Sequence, residues 1–332
     1  MYRTWLRHVL TAWFTCVAIV PLAAAEPLAS WNHSATKQRI VTFVTAVSTR
    51  GGPDFVPESQ RIAVFDNDGT LWSERPIYFQ LQYSIHRTHQ LVDKHPEWRQ
   101  QQPFQAALTN DIATLTAGDG KLFTQLTEAT LGGTSITDFH AAVNRWLATS
   151  RHPRFKRPYT DLVFQPMLEL LAYLKANRFR TYIVSGGDLE FMRAWATRVY
   201  GIPPEQIIGS RMKTRLVRKN GKAVFERLTE IEFFNNAAGK PVSIRRAIGR
   251  RPIAAFGNSD GDLQMLQWAT AADGKRLALI VRHTDREREW AYDRKAKIGH
   301  LDKALDEAIR RKWIVVDMKR DWKVVYPFQS KR

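Results

Sequence analysis

The feature that most constrains this chain is an alternation between short apolar runs and helical patterns. Residues 61–65, 180–184, 207–208, 252–256 and 277–281 are strand-length apolar runs, and each leads into a polar loop. Helical patterns at 167–175, 189–199 and 263–270 separate most of them, and an amphipathic pattern at 35–49 precedes the first before Gly51-Gly52-Pro53 breaks it. Alternation of this kind predicts an α/β fold, with a doubly wound, Rossmann-like parallel sheet covered on both faces by helices. Ligands bind such sheets at the carboxyl ends of the strands, so the loops after the apolar runs are where chemistry is expected.

Two segments break the alternation. Residues 73–160 carry only helical patterns, with loops around Gly118-Asp119-Gly120 and Gly132-Gly133, and are expected to form a helical cap inserted over the strand ends. The core is then 26–72 together with 161–332. Residues 212–228 alternate apolar and polar positions on either side of Asn220-Gly221, which predicts a small β-hairpin.

The first 25 residues have a character of their own. Arg3 and Arg7 precede an almost wholly apolar run, and Ala23-Ala24-Ala25 supplies the small residues that a signal peptidase cuts after. The expectation is a signal peptide over 1–25, a mature start at Glu26 and a periplasmic or secreted protein. The rival, a retained anchor, is short for a span of about 20 residues and is interrupted by Pro21. No later stretch is apolar enough to cross a membrane, so no membrane partner is expected after cleavage. Cys16 is the one cysteine and leaves with the leader, which excludes a disulfide, a thiol nucleophile or a cysteine metal site in the mature chain. The net charge of +18 favours anionic ligands. Its lysines and arginines are spread along the chain rather than gathered in one arm, which predicts a solvated basic surface and no specific nucleic-acid partner.

Three loops and one lysine carry the candidate chemistry. Asp66-Asn67-Asp68-Gly69-Thr70 follows the first apolar run. Two carboxylates at alternate positions there can share a pocket, one as nucleophile on phosphorus and the other as proton donor and acceptor, with Thr70 donating to a phosphate oxygen. Taken alone, the loop is equally readable as a turn. Ser185-Gly186-Gly187-Asp188 closes the run 180–184 and reads either as a phosphate cradle ahead of a helix or as a helix cap at Ser185. Gly257-Asn258-Ser259-Asp260-Gly261-Asp262 again lies between an apolar run and a helical pattern. With Asp66 and the Asp68 carbonyl, Asn258 or Asp262 could offer magnesium the hard oxygens it requires, or the loop could be an acidic turn. Between the second and third loops lies Lys240, placed to neutralise Asp66 and phosphoryl oxygens.

In order and context these pieces resemble the four motifs of the haloacid dehalogenase superfamily, over roughly residues 61–281, and 165–266 are similar to its phosphoserine-phosphatase-like branch. The resemblance implies that Asp66 is the nucleophile, Asp68 the general acid and base, Ser185 and Lys240 the phosphate-binding pair, and the last loop the magnesium site. It also implies that the insertion is a cap closing over small phosphorylated substrates. One position departs from the pattern, since Gly257-Asn258 stands where related phosphatases have Gly-Asp. An acid two residues after the nucleophile argues against carbon–halogen cleavage, because an alkoxide leaving group needs a proton.

Further candidates are Glu74 as a substrate-facing or surface acid, and His283 and Asp285 as pocket or structural groups after the run 277–281. Trp98 and Trp146 read as core, with a stacking platform as the alternative. The expected activity is magnesium-dependent phosphomonoester hydrolysis through an aspartyl phosphate on Asp66. Its alternatives are a phosphotransferase and a non-catalytic periplasmic anion-binding protein.

Overall fold

A computed structural model describes residues 26–118 and 120–329; the expected leader with Cys16, and Asp119 of the first insertion loop, lie outside the described residues. One mixed sheet runs through the molecule. Its strands are β1 (Ile62–Phe65), β2 (Thr134–Ser135), β3 (Arg180–Asp188), β4 (Ile207–Lys219), β5 (Lys222–Phe233), β6 (Ala254–Gly257), β7 (Leu277–Thr284), β8 (Ala291–Tyr292) and β9 (Ile314–Asp317). The order is β2-β5-β4-β3-β1-β6-β7-β8, with β9 also paired to β7. The pairs β4–β3, β3–β1, β1–β6, β6–β7 and β7–β9 are parallel.

The apolar runs are continuous rather than alternating because both faces of this sheet are covered. Ala63 and Phe65 of β1 pack with Phe43, Val44, Leu170 and Leu174 from the helices Ala35–Ser48 and Gln165–Ala176. Ile62 and Val64 point the other way, against Ile244, Met265, Leu266 and Leu305 from three further helices. Adjacent residues of one strand thus serve two cores, as a doubly wound fold demands. The stacked rings of Phe65 and Phe256, 4.2 Å apart, fix β1 against β6 just before both strands deliver their loops.

The insertion holds the helices Phe79–Leu91, Phe104–Leu108, Ile112–Leu115, Lys121–Leu131 and Ile136–Thr149, and a small separate core around Leu81, Ile85, Ala107 and Leu126, which Ile298 joins from outside the insertion. It is not purely helical. Thr134 and Ser135 pair antiparallel with Arg227 and Glu226 of β5, a contact too short to leave an alternating pattern in the sequence. The hairpin is larger than expected. The run at 207–208 and the first arm are one 13-residue strand, β4, which pairs with β3 at its start and with β5 beyond. Asn220 and Gly221 both have positive φ, 51° and 77°, as the tight turn requires. Among the described residues no helix is long and apolar enough to cross a membrane.

Candidate active site

The ends of β1, β3 and β6 and the start of the helix Gly239–Ile248 bring the candidate residues together. Lys240, 2% exposed, places its ammonium 2.6 Å from Asp66 Oδ1 and 2.6 Å from Asp262 Oδ1. Thr70 Oγ1 lies 3.3 Å from both Asp66 Oδ2 and Asn258 Oδ1. Ser185 Oγ donates to Asp68 Oδ2 at 3.4 Å, and Asp68 Oδ1 accepts from the Trp72 indole at 2.8 Å. Gly69 makes this convergence possible. Its φ is 74°, and a side chain there would collide with the Asn258 amide and the Glu74 carboxylate.

The charges do not balance. One ammonium faces three enclosed carboxylates, those of Asp66, Asp68 and Asp262. Burial pushes the Asp66 carboxyl well above its ordinary range, and neighbouring Asp262 adds to the rise against the opposing Lys240. Burial likewise raises Asp68, against hydrogen bonds from Trp72 and Ser185. Burial disfavours the Lys240 cation, but its two carboxylates outweigh that and hold its pKa above the usual value.

Several expectations change in detail. Ser185 is not a helix cap, because Asp188 caps the helix Leu189–Arg193 by accepting from Phe191 N at 2.8 Å. Ser185, Gly186 and Gly187 lie instead in the irregular end of β3, where register with β4 shifts. The Ser185 hydroxyl accepts from Gly187 N at 3.0 Å, and Gly186 lines the pocket while its carbonyl accepts from Ser210. Asp262 has both oxygens engaged, one by Lys240 and the other by the amides of Asn258 and Ser259 at 3.0 and 3.1 Å. It fixes the lysine and the loop rather than presenting free oxygens.

Glu74 is 1% exposed, not on the surface. Its Oε1 accepts from the Asn258 amide and the Tyr292 hydroxyl, each at 2.8 Å. Burial pushes its carboxyl up to about 7, with His283 and Tyr292 opposing. His283 lies behind the first loop, with Nε2 2.8 Å from the Gly69 carbonyl and Nδ1 3.0 Å from Glu289. Burial disfavours its cation, but Glu289 outweighs this and raises its pKa. Asp285 turns away, capping Arg288 N at 3.0 Å and pairing with that residue's guanidinium, so it does not line the pocket. Trp98 stacks on Phe104 at 4.1 Å and Trp146 on Tyr159 at 4.8 Å, and neither reaches the pocket.

A model of the haloacid dehalogenase-like hydrolases matches residues 63–267, more than half of the sequence. The chain belongs to that family. No curated protein sequence matches it. Among solved structures, a protein of unknown function from Bordetella pertussis Tohama I is similar with a TM-score of 0.51 and 16% identity, over 78% of this chain and 99% of that one. A conserved functionally unknown protein from Anaerococcus prevotii DSM 20548 gives 0.52 and 15%, over 84% and 91%. A phosphoserine phosphohydrolase-like protein from Francisella tularensis subsp. tularensis SCHU S4 gives 0.39 and 16%, over 79% and 95%. The first two likenesses carry the fold alone.

In this haloacid dehalogenase-like chain, sequence reasoning missed three participants. Tyr292 reaches Glu74 from the two-residue strand β8, which no pattern announces. Gln80 Oε1 accepts from Asp188 N at 2.7 Å, joining the insertion to the end of β3. Arg227 of β5 grips Asp188 with two nitrogens, at 3.1 and 2.8 Å, and both side chains are buried. Asp188 stood in a quoted loop, but nothing local marks Arg227 as its partner.

Proposed function

We propose that the chain is a magnesium-dependent phosphatase acting on small phosphomonoesters through an aspartyl phosphate on Asp66. The observation that carries this reading is the Lys240 ammonium between Asp66 and Asp262, beside the Asp68–Ser185 pair. A carboxylate held by an ammonium, next to a second acid of raised pKa, has the composition needed for phosphoryl transfer to carboxylate.

The Asp66 carboxylate attacks phosphorus in line, and the bond from phosphorus to the ester oxygen breaks. Asp68, kept protonated more readily by its enclosure, gives its proton to that departing oxygen. Asp68 then takes a proton from water as the water oxygen attacks phosphorus, which frees Asp66 and releases phosphate. Lys240, Ser185, Thr70 and the Gly186 amide hold the phosphoryl oxygens while their charge is redistributed.

The donor set fits magnesium. The buried excess of carboxylate over ammonium is what a divalent cation would neutralise, and Asp66 Oδ2 and Asn258 Oδ1 share only a long contact to one hydroxyl. Among the described residues no three His, Cys, Asp or Glu side chains form a cation cage. Magnesium does not require one, since it keeps several waters and takes few protein oxygens. Asp66, the Asp68 carbonyl and Asn258 would hold it, with Asp262 behind. When bound, the ion would supply positive charge to Asp66 and to the phosphoryl oxygens.

The helical segment 73–160 is proposed as the cap over this site. Residues 1–25 are proposed as a cleaved export signal, tested by N-terminal sequencing of the protein recovered from the periplasm, with Glu26 expected first. The activity is tested with p-nitrophenyl phosphate. Turnover is expected with magnesium, and its loss with chelator and in Asp66→Asn. Equal turnover in Asp66→Asn rules out the aspartyl phosphate.

A further inference from the structure

Gly69 is held on both sides. Its N–H donates to the Trp72 carbonyl at 2.8 Å, and its own carbonyl lies 2.8 Å from His283 Nε2. A carbonyl can only accept, so Nε2 carries a hydrogen and the ring donates. Glycine has the widest choice of torsions, and this one sits at a φ of 74°. The direction of the preceding Asp68 carbonyl therefore depends on what fixes the two peptides that flank Gly69. The only other bond to them is the longer one from Thr70 N to the Asn67 carbonyl, at 3.1 Å.

The imidazole is itself braced. Nδ1 faces Glu289 Oε2 at 3.0 Å, and that fully enclosed carboxylate also accepts from Trp290 N at 2.6 Å and from the Ser73 hydroxyl at 2.8 Å. The Tyr326 hydroxyl meets Ser73 Oγ at 2.7 Å, and the Tyr292 ring stacks on the imidazole at 4.3 Å. His283 is 3% exposed and does not line the pocket, so it acts on the site only through Gly69 and the residues packed around it. His283, Glu289, Tyr292 and Tyr326 all lie beyond residue 267, outside the stretch matched to the family.

Resting on the magnesium reading above, we infer that His283, braced by Glu289, is a positioning residue of the metal site. By holding the Gly69 carbonyl it aims the Asp68 carbonyl at the cation. Hydrogen bonds that orient a metal ligand are worth roughly 10- to 100-fold in metal affinity.

Calorimetric titration of magnesium into the full chain tests this, alongside the magnesium dependence of p-nitrophenyl phosphate turnover. His283→Leu removes the donor, and its magnesium Kd is expected to rise roughly 10- to 100-fold, with the deficit in turnover largely made good by excess magnesium. Two amides give the sharper comparison. His283→Gln can set an N–H where Nε2 stands and keep the bond to Gly69, whereas His283→Asn is one carbon shorter and reaches only toward Glu289. The glutamine variant is expected to recover most of the affinity and the asparagine variant little of it. Should His283→Leu fail to fold, the two amides decide alone. Equal affinities in the two amide variants, or an unchanged Kd in His283→Leu, overturn the inference and leave His283 a role in stability only, while magnesium binding and turnover by the unmodified chain keep the phosphatase reading standing. An unmodified chain that neither binds magnesium nor depends on it for turnover overturns both.

Discussion

The Glu74 carboxylate and the Asn258 amide meet at 2.8 Å, with the amide nitrogen donating. That contact orients the whole side chain, because it leaves Asn258 Oδ1 facing Thr70 and the Asp66 side of the pocket. An aspartate at 258, the residue that the resemblance leads one to expect there, would set two acids against each other in a buried position. In this chain Asn258 and the buried Glu74 form one hydrogen-bonded pair. In a urea-unfolding cycle with chelator present, Asn258→Asp is expected to destabilise the chain. Adding Glu74→Gln is expected to recover most of the loss, with a coupling of about 1–3 kcal/mol. Strictly additive effects would show that the two residues do not act as a pair.

Asp68 is expected to matter in proportion to the leaving group's need for a proton. For a primary alkyl phosphate, Asp68→Asn should lower kcat by roughly 10²–10⁴-fold, the usual worth of a positioned general acid. For p-nitrophenyl phosphate, whose leaving oxygen departs unaided, the loss in the first step should be much smaller. A burst of nitrophenol followed by slow turnover would then mark the second step, in which Asp68 must deprotonate water. Equal losses for both esters, without a burst, would remove Asp68 from the role of acid.

Arg227 lies far in sequence from the catalytic loops, yet it joins three elements. Its guanidinium pairs with Asp188 at the end of β3, its Nε donates to the Leu131 carbonyl at 2.9 Å, and it lies 4.0 Å over the Phe139 ring. Removing one partner of a buried pair leaves the other charge unmatched. Arg227→Met is expected to cost roughly 3–5 kcal/mol of stability by urea denaturation. A loss below about 1 kcal/mol, the range of an exposed pair, would mean that Asp188 is reached by water.

The contrast between Asp66 and Arg227 shows what the sequence can carry. Asp66, Ser185 and Asn258 each follow their own apolar run, and the parallel sheet aligns those strand ends, so local pattern was enough to gather them. The extent of β3 was misjudged because Ser185-Gly186-Gly187 looks like a loop, whereas the strand runs through it and pairs with β4 again at Asp188 and Ser210 after a register shift. Glu74, Tyr292 and Arg227 could not be placed, since each reaches its partner across about 40 to 220 residues of chain with no periodic signal. The long hairpin was half legible: Asn220-Gly221 and the alternating arms around it announced the turn, but nothing local shows that the run at 207–208 continues into the first arm as one strand.

The way into and out of the helical insertion is fastened by His152, which gives stability a pH dependence. Its Nδ1 accepts the backbone N–H groups of Arg154 and Phe155 at 3.2 and 3.3 Å, so that nitrogen carries no proton. Nε2–H donates to the Arg75 carbonyl at 2.7 Å, tying the exit of the insertion to its entrance. The ring is fully buried, and burial lowers its pKa below 6.5; Arg154 and Lys156 act in the same direction, while the Arg75 carbonyl and Glu289 oppose. Between the lowered folded value and the ordinary unfolded one, only the unfolded chain takes up the proton. The His152 contribution is therefore complete above about pH 6.5 and is lost as pH falls through the folded pKa. Glu74 shifts the opposite way across the same range, so the unmodified chain reports a sum of both. The difference between it and His152→Asn isolates the histidine. Urea midpoints at pH 7.5 and 5.5 should show a drop in the unmodified chain relative to the variant, and a variant whose midpoint moves in parallel would mean that His152 takes up its proton without unfolding.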